Sequence, residues 1–218
     1  MISKLHYISQ GDSPEKHLEH IENACKAGAD WVQLRLKNRD EAILLKTAEK
    51  AREITHYYHT RLIINDHYKI AKAVKSDGVH LGKTDACPTE AKKHLYSWQI
   101  IGGTANSIED CKELIEKKVD YIGLGPFRFT QTKSNLSPIL GVEGYEKLLR
   151  NLKTETPIIS IGGITLTDVL EILKTGLYGI AVSGAITKDF NQIYSFQKLL
   201  GTSSFEAKSF EMTSNNIK

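Results

Sequence analysis

Short apolar runs alternate with amphipathic stretches along most of this 218-residue chain. The apolar runs are rich in Ile, Val and Leu, which predicts buried strands, and the stretches between them have helical spacing. The predicted strands are Leu5–Ser9, Trp31–Leu36, Arg61–Asn65, Gly78–Leu81, Ile100–Gly103, Tyr121–Gly125, Ile158–Gly162 and Gly179–Ser183. Helical patterns include Pro14–Ile21 and Thr165–Ile172.

Strict alternation of strand and helix predicts a parallel sheet, because each crossover helix returns the chain to the same edge. About eight such units favour a single closed (β/α)8 TIM barrel. An open dinucleotide-binding sheet is the alternative, but residues 11–14 read Gly-Asp-Ser-Pro where that fold has its glycine-rich turn. The pattern Asp-x-(Val/Ile)-x-Leu recurs at residues 30–34, 77–81 and 120–124, as expected for equivalent units.

Composition limits the domain number and the classes of partner. With 40% hydrophobic residues the chain can bury one core, and we assign residues 1–201 to the barrel. Residues 202–218 are polar and without periodicity, which predicts a disordered tail. The net charge of +3 is too small for a nucleic-acid-binding face, although it suits anionic metabolites.

Location is inferred from what the sequence lacks. We find no signal peptide and no apolar stretch long enough to cross a membrane. Cys25, Cys87 and Cys111 are too widely spaced to predict a disulfide framework or a zinc site. We therefore expect a reduced cytoplasmic protein. The oligomeric state stays open, a homo-oligomer included.

Polar residues close the predicted second strand, at the end where the loops of a barrel converge. Gln33, Arg35 and Lys37 lie on one side of the chain by the two-residue period of a strand. A buried charge needs a partner, so we favour phosphate binding by this trio. In the alternative, Arg35 pairs with a core carboxylate and Lys37 is solvated.

Acidic residues follow the next two strands. Asn65 and Asp66 end the third strand, and Asp85 lies in the turn after the fourth. Two carboxylates near cationic side chains suit Mg²⁺ that bridges to a pyrophosphate. Each also has a simpler explanation, since Asp66 could cap the next helix and Asp85 could cap the turn into residues 86–88.

Candidate functional residues also follow the last three predicted strands. The loop after the sixth strand is long and carries Thr130, Thr132 and Lys133, which supply hydroxyl donors and a mobile charge. A plain surface loop would require none of these. The glycine-containing turns at residues 162–163 and 183–184 resemble a phosphate cradle made of backbone N–H groups.

The histidines offer no metal signature. His17 and His20 fall on the predicted first helix, which we place far from the barrel mouth. His80 falls on a strand, where a core histidine with satisfied hydrogen bonds is favoured over a ligand contact.

The motifs Q-L-R-L-K, I-N-D, G-V-H-L-G-x-x-D, G-L-G-P-x-x-x-T-x-T-K, I-G-G-I and V-S-G-A-I occur in this order between Leu5 and about Leu200. The set resembles the thiamine-phosphate synthase family, and T-x-T-K is its most specific part. The resemblance implies a TIM barrel transferase of thiamine biosynthesis. It would condense 4-amino-2-methyl-5-(diphosphooxymethyl)pyrimidine with a thiazole phosphate, giving thiamine phosphate and pyrophosphate.

The resemblance also implies roles for residues. Those implied to hold the pyrimidine diphosphate are Gln33, Arg35, Lys37, Asn65 and Lys133. Thr104 would lie near the pyrimidine ring. Asp66 and Asp85 would hold Mg²⁺. Those implied to hold the thiazole phosphate are Thr130, Thr132, Gly162 or Gly163, Ser183 and Gly184. Arg35, Lys37 and Lys133 would neutralise the departing pyrophosphate. The departures from the family pattern are Lys83, Ala105-Asn106 and the placement of Ser183.

Two other functions are weighed against the transferase. A thiazole tautomerase-like isomerase shares the fold, but such relatives usually lack T-x-T-K. A non-catalytic phosphate-ligand-binding barrel would have no need of both Asp66 and Asp85.

Overall fold

The structure is a computed structural model that describes residues 1–129 and 138–202. Eight parallel strands pair in chain order, and the eighth pairs with the first to close a barrel. The strands are β1 Leu5–Ile8, β2 Trp31–Leu34, β3 Arg61–Asn65, β4 Gly78–Leu81, β5 Ile100–Ala105, β6 Tyr121–Leu124, β7 Ile158–Ile161 and β8 Gly179–Val182. The predicted TIM barrel is confirmed.

Helices surround the barrel, and each of the eight strands is followed by at least one of them. In the described residues they are α1 Pro14–Lys26, α2 Glu41–Tyr57, α3 Tyr68–Ala73, α4 Pro88–His94, α5 Ile108–Glu116, α6 Gly141–Arg150, α7 Val169–Lys174, α8 Gly184–Lys188 and α9 Gln192–Leu199, with a 3-10 turn at Leu166–Asp168 before α7. None of these helices is long and apolar enough to span a bilayer. Residues 203–218 lie outside the described part, so the domain division stays a prediction.

Side chains of each strand alternate between the barrel interior and the helix layer. The interior is filled by Ile8, Trp31, Ile63, Tyr121, Ile159 and Ala181. Outward-facing apolar residues of the strands pack with the helices in a larger buried cluster. Because the barrel centre is packed rather than hollow, a ligand has to bind at one end.

The recurring Asp pattern has a structural cause at the entry to the strands. The Asp77 carboxylate, just before β4, accepts the Leu62 N–H of β3 at 2.9 Å. The Asp120 carboxylate, just before β6, accepts the Ile101 N–H of β5 at 2.7 Å. Asp30 accepts a serine hydroxyl instead. Each carboxylate therefore satisfies a polar group at the amino-terminal end of the barrel, opposite the predicted mouth.

Strand β5 is longer than predicted because two glycines interrupt its apolar run. The Tyr121 ring covers Gly102, where an added Cβ would come within 2.1 Å of a ring carbon. Glycine here lets a large aromatic side chain cross the barrel. The strand then continues to Thr104 and Ala105, so Thr104 lies at the mouth.

Candidate active site

One half of the mouth, called the charged side, comprises polar residues at or just after the carboxyl ends of β2 and β3 and in the turn after β4. Its members are Gln33, Arg35, Lys37, Asn65, Asp66 and Asp85. Gln33 Nε2 donates to Asn65 Oδ1 at 2.7 Å, and both residues are buried. The structure therefore brings the predicted residues of two neighbouring strands into direct contact at the base of this side.

Arg35 is a partly buried cation. Burial lowers the pKa of its guanidinium, and the negative charge of Asp66 opposes that shift. Among residues 1–129 and 138–202, no carboxylate lies within 4.0 Å of this guanidinium. The alternative in which Arg35 pairs with a core carboxylate is not realised in this part of the chain. The charge is thus available to an anionic ligand.

Asp66 and Asp85 are close enough to affect each other. Burial, followed by the hydrogen bond and charge of Asp85, raises the pKa of Asp66 to about 6. Lys37 Nζ lies 3.4 Å from Asp66 Oδ2 and offsets part of this effect. Two carboxylates in a partly buried position disfavour the doubly ionised state. A cation that binds between them would relieve this repulsion.

The structure also tests whether Asp66 caps the next helix and whether Asp85 caps a turn. His67, not Asp66, is the N-cap of α3, and Asp66 has a φ of 64°. The helix-cap alternative for Asp66 is therefore wrong. Asp85 does close a turn, because its carboxylate accepts the Gly82 N–H at 2.6 Å. That turn precedes Asp85, whereas the N-cap position of α4 is occupied by Cys87.

The carboxylate pair fits a magnesium ion that arrives with a phosphate ligand. In the described residues no group of three or more His, Cys, Asp or Glu could hold a metal. Mg²⁺ binds one or two carboxylates together with phosphate oxygens and waters, rather than a cage built only of protein. Beside the pair, a cavity of about 170 Å³ is lined by Asp85 and Thr104, among others.

A hydrogen-bonded column connects the barrel interior to the mouth. His80 Nδ1 lies 3.0 Å from the Tyr121 hydroxyl, and His80 Nε2 lies 2.9 Å from Thr104 Oγ1. His80 is only 7% exposed, so the expected core histidine is confirmed. Its bonds hold the Thr104 hydroxyl at the rim of the charged side.

His17 supports the charged side from below, so its predicted distance from the mouth is wrong. His17 Nδ1 lies 2.8 Å from Ser9 Oγ, and Ser9 Oγ accepts the Arg35 N–H at 3.2 Å. Burial lowers the pKa of His17 to about 4. The neutral imidazole therefore helps to fix the backbone that carries Arg35. His20 is also near the end of β1, where Nδ1 lies 2.7 Å from the Gln10 carbonyl oxygen.

The other half of the mouth, called the glycine side, comprises Gly162, Gly163, Ser183 and Gly184 after β7 and β8. Gly162 has a φ of 103° and Gly163 a φ of 68°. Ser183 Oγ donates to Gln10 Oε1 at 3.2 Å, and Gly184 begins α8. Backbone amides of such turns are a common phosphate-binding surface in barrels of this type.

The described residues that directly follow β6 contact the glycine side. Thr130, Thr132 and Lys133 lie outside the described residues, but both flanks of that segment are defined. The Arg128 N–H donates to the Gly162 carbonyl at 3.0 Å, and the Leu140 N–H donates to the Pro126 carbonyl at 2.9 Å. The described residues on either side are thus anchored beside the turn after β7.

Two of the departures from the family pattern, Lys83 and Asn106, share the Asp110 carboxylate as a partner. Lys83 Nζ lies 2.7 Å from a carboxylate oxygen of Asp110 in α5. Asp110 also accepts the Asn106 N–H at 2.8 Å, and the Asn106 side chain donates to the Gly125 carbonyl. These residues join the loops after β4, β5 and β6.

Sequence reasoning missed several residues of the mouth. Ser9 and Gln10 directly follow β1, and this position at a strand end is the signal that could have identified them. Arg128 and Asp168, which form a two-point ion pair, had no such signal because they lie 40 positions apart.

Comparisons with known proteins show the family of this chain. The sequence profile described as thiamine monophosphate synthase matches residues 5–186. The chain is 44% identical to the thiamine-phosphate synthase of Flavobacterium johnsoniae over 91% of this chain and 95% of that protein. It is 39% identical to the Bacteroides fragilis protein of the same name, over 90% and 98%. The solved thiamine phosphate pyrophosphorylase from Pyrococcus furiosus superposes with a TM-score of 0.75 at 28% identity, over 91% of this chain and 95% of that one.

Proposed function

Because this chain belongs to the thiamine monophosphate synthase family, we propose that its charged side holds the pyrimidine diphosphate and its glycine side holds the thiazole phosphate. The enzyme is a transferase that joins these two substrates and releases pyrophosphate. The observation that carries the assignment of sides is Arg35, a partly buried guanidinium without a carboxylate partner in the described residues. A diphosphate supplies the missing anion.

The reaction requires stabilisation of a leaving group rather than a protein nucleophile. The bond between the pyrimidine methylene carbon and the diphosphate oxygen breaks, and its electron pair leaves with pyrophosphate. The thiazole nitrogen then donates its lone pair to the methylene carbon. Arg35 and Lys37 stabilise the charge that develops on the leaving oxygens, and Lys133 has the same role by resemblance. Fixed charges of this kind often supply much of a rate enhancement.

Asp66 and Asp85 are the residues that would hold Mg²⁺, and the bound ion would add positive charge beside the diphosphate. Lys37 now lies 3.4 Å from Asp66. If bound Mg²⁺ neutralised Asp66, the Lys37 ammonium would be free to turn towards the phosphate oxygens. Because the Lys37 side chain is long and exposed, this movement would cost little free energy.

Other polar groups position the rings and the second phosphate. The Gln33 side chain is fixed by its hydrogen bond to Asn65, and the Thr104 hydroxyl is fixed by its hydrogen bond with His80, so these groups can orient an aminopyrimidine. Thr130, Thr132, Gly162, Gly163, Ser183 and Gly184 are assigned to the thiazole phosphate. The cytoplasmic location and a homo-oligomeric state stay predictions.

The test is an assay with the pyrimidine diphosphate, the thiazole phosphate and Mg²⁺. We expect thiamine phosphate and pyrophosphate in equal amounts, and no product when a chelator replaces the metal. Isomerisation of the thiazole substrate without pyrophosphate would identify a tautomerase instead. Binding of both compounds without any conversion would identify a ligand-binding barrel.

A further inference from the structure

Arg128 and Asp168 form a two-point ion pair beside the glycine side. Arg128 Nη2 lies 2.8 Å from Asp168 Oδ1, and Nη1 lies 3.1 Å from Oδ2. Asp168 is only 5% exposed, and its carboxylate also accepts the N–H and the hydroxyl of Thr165 at 2.8 and 2.7 Å. An Arg–carboxylate fork fixes orientation as well as distance. Asp168 thus links the guanidinium to the start of the turn before α7.

The backbone beside Arg128 follows the turn after β7. The Phe127 N–H donates to the Ile161 carbonyl at 2.8 Å, and the Arg128 N–H donates to the Gly162 carbonyl at 3.0 Å. A Cβ on Gly163 would come within 2.8 Å of the Phe129 carbonyl oxygen. The two backbone segments are therefore in close contact at residues 127–129, immediately before Thr130.

Local packing holds the Arg128 side chain in this orientation. The guanidinium carbon lies 5.3 Å from the centre of the Phe127 ring, within the range of a cation–π contact. Burial alone would raise the pKa of Asp168, but the hydrogen bonds from Thr165 and Arg128 lower it overall. The pair is therefore ionised at neutral pH.

We propose that Arg128 and Asp168 are a positioning pair that holds the Gly162-Gly163 turn against the segment leading to Thr130, so that the thiazole phosphate subsite is formed before the substrate binds. The identity of the ligand rests on the proposed function. Arg128 acts through the turn and the adjacent segment, not through contact with reacting atoms. Its loss should weaken binding of one substrate selectively, which a general loss of stability would not do.

The test compares Arg128→Gln with Arg128→Lys and with a matched pair elsewhere. Arg52 Nη1 lies 2.7 Å from Asp77 Oδ2 at the opposite end of the barrel, so Arg52→Gln removes a comparable ion pair away from the mouth. Steady-state assays give kcat and both KM values, and thermal unfolding measures the stability of each variant. Asp168→Asn and the double variant with Arg128→Gln complete a double-mutant cycle.

We expect Arg128→Gln to raise KM for the thiazole phosphate about tenfold, since small displacements of a binding group are costly. The kcat and the KM for the pyrimidine diphosphate should stay within about twofold. Arg128→Lys should restore part of the loss, because it keeps the charge but not the fork. Arg52→Gln should change neither KM. The two KM effects of Arg128→Gln and Asp168→Asn should not add in the double variant.

An unchanged thiazole phosphate KM in Arg128→Gln overturns the inference. So does an equal rise of both KM values, or the same KM change in Arg52→Gln. Calorimetric titration of thiazole phosphate into the wild type and Arg128→Gln separates this inference from the proposed function. If the wild type makes no thiamine phosphate, the proposed function fails, and about tenfold weaker binding by the variant still supports the positioning pair. Equal binding, or no binding by the wild type, overturns it.

Discussion

The charged side and the glycine side of the mouth differ in how their polar groups are satisfied before a ligand binds. On the charged side, Arg35 has no carboxylate within 4.0 Å in the described residues, and Asp66 and Asp85 repel each other. On the glycine side, the Gly162 carbonyl accepts an N–H from Arg128, and Asp168 holds that arginine at two points. One side leaves charges for a ligand to satisfy, whereas the other is shaped by its own hydrogen bonds.

This difference teaches how stability and function are related within one site. Unpaired or crowded charges reduce the stability of the free protein, so their removal should stabilise the fold while activity falls. Residues that shape a backbone serve the fold and the site together, so their replacement should harm both. The sign of the stability change therefore distinguishes the two sides.

The largest expected effect is on the charged side. Asp66→Asn should lower turnover about a hundredfold, because one of the two acids proposed for Mg²⁺ loses its charge. The same change should stabilise the metal-free protein at pH 8 by about 1 kcal/mol, since it removes the repulsion with Asp85. Asn also tolerates the positive φ of 64°. Turnover assays and urea unfolding test both expectations.

The exposed Asp12 supplies the control, because Asp12→Asn removes the same charge from the loop before α1. Asp12→Asn should change neither the turnover nor the free energy of unfolding. A destabilised Asp66→Asn protein would contradict the view that the acids are crowded.

Gly163→Ala should harm stability and activity together. The left-handed φ of 68° disfavours a side chain, and the new Cβ would meet the Phe129 carbonyl oxygen at 2.8 Å. We expect a loss of about 2–3 kcal/mol in the free energy of unfolding, with a severalfold higher KM for the thiazole phosphate. Chemical unfolding and steady-state kinetics measure the two losses.

Gly201 separates strain from crowding, because its φ is 67° and an added Cβ would meet nothing within 4 Å. Gly201→Ala should cost less stability than Gly163→Ala and leave KM unchanged. Equal losses in the two variants would show that close backbone contact at the glycine side is unimportant.

The effect expected to be smallest at neutral pH concerns the support beneath the charged side. Burial lowers the pKa of His17 to about 4, below its ordinary value of 6.5, so the unfolded chain binds the proton first. Stability should therefore fall as pH falls from about 6.5 to 4, with a slope of up to about 1.4 kcal/mol per pH unit for one proton. In His17→Gln that slope should be shallower.

His6, whose pKa burial lowers to about 3, keeps its own contribution in the His17→Gln variant. Some pH dependence should therefore remain. Urea unfolding at several pH values between 7.5 and 4.5 measures both slopes. Identical slopes in the two proteins would mean that His17 is not held neutral in the fold.

The barrel could be predicted closely because parallel strands buried on both faces are continuous apolar runs. Five strands begin where predicted and differ from prediction only at the carboxyl end, where polar or glycine residues follow the last paired position. They are β1, β2, β6, β7 and β8. For example, Gly125 was included in β6, although the strand ends at Leu124. Strand β5 was predicted too short because Gly102 and Gly103 carry no hydrophobic signal.

The site was predicted through residue types, and its supports were missed because they depend on contacts between distant positions. Burying a charge without a partner costs free energy, so charged residues at the ends of β2 and β3 indicate a ligand site in the sequence. The structure places Lys37 beside Asp66. The Ser9–His17 contact and the Arg128–Asp168 pair have no local pattern. Their partners become neighbours only after the barrel closes.

The central claim, that the charged side is built for a departing diphosphate, is tested most directly by calorimetric binding of inorganic pyrophosphate. Titrations should compare the wild type with Arg35→Met, each with and without Mg²⁺, and with Arg39→Met as an exposed arginine in the same loop. We predict that Mg²⁺ strengthens binding to the wild type, that Arg35→Met weakens it at least about tenfold, and that Arg39→Met has little effect. Equal affinity of the wild type and Arg35→Met in Mg²⁺ would contradict the account.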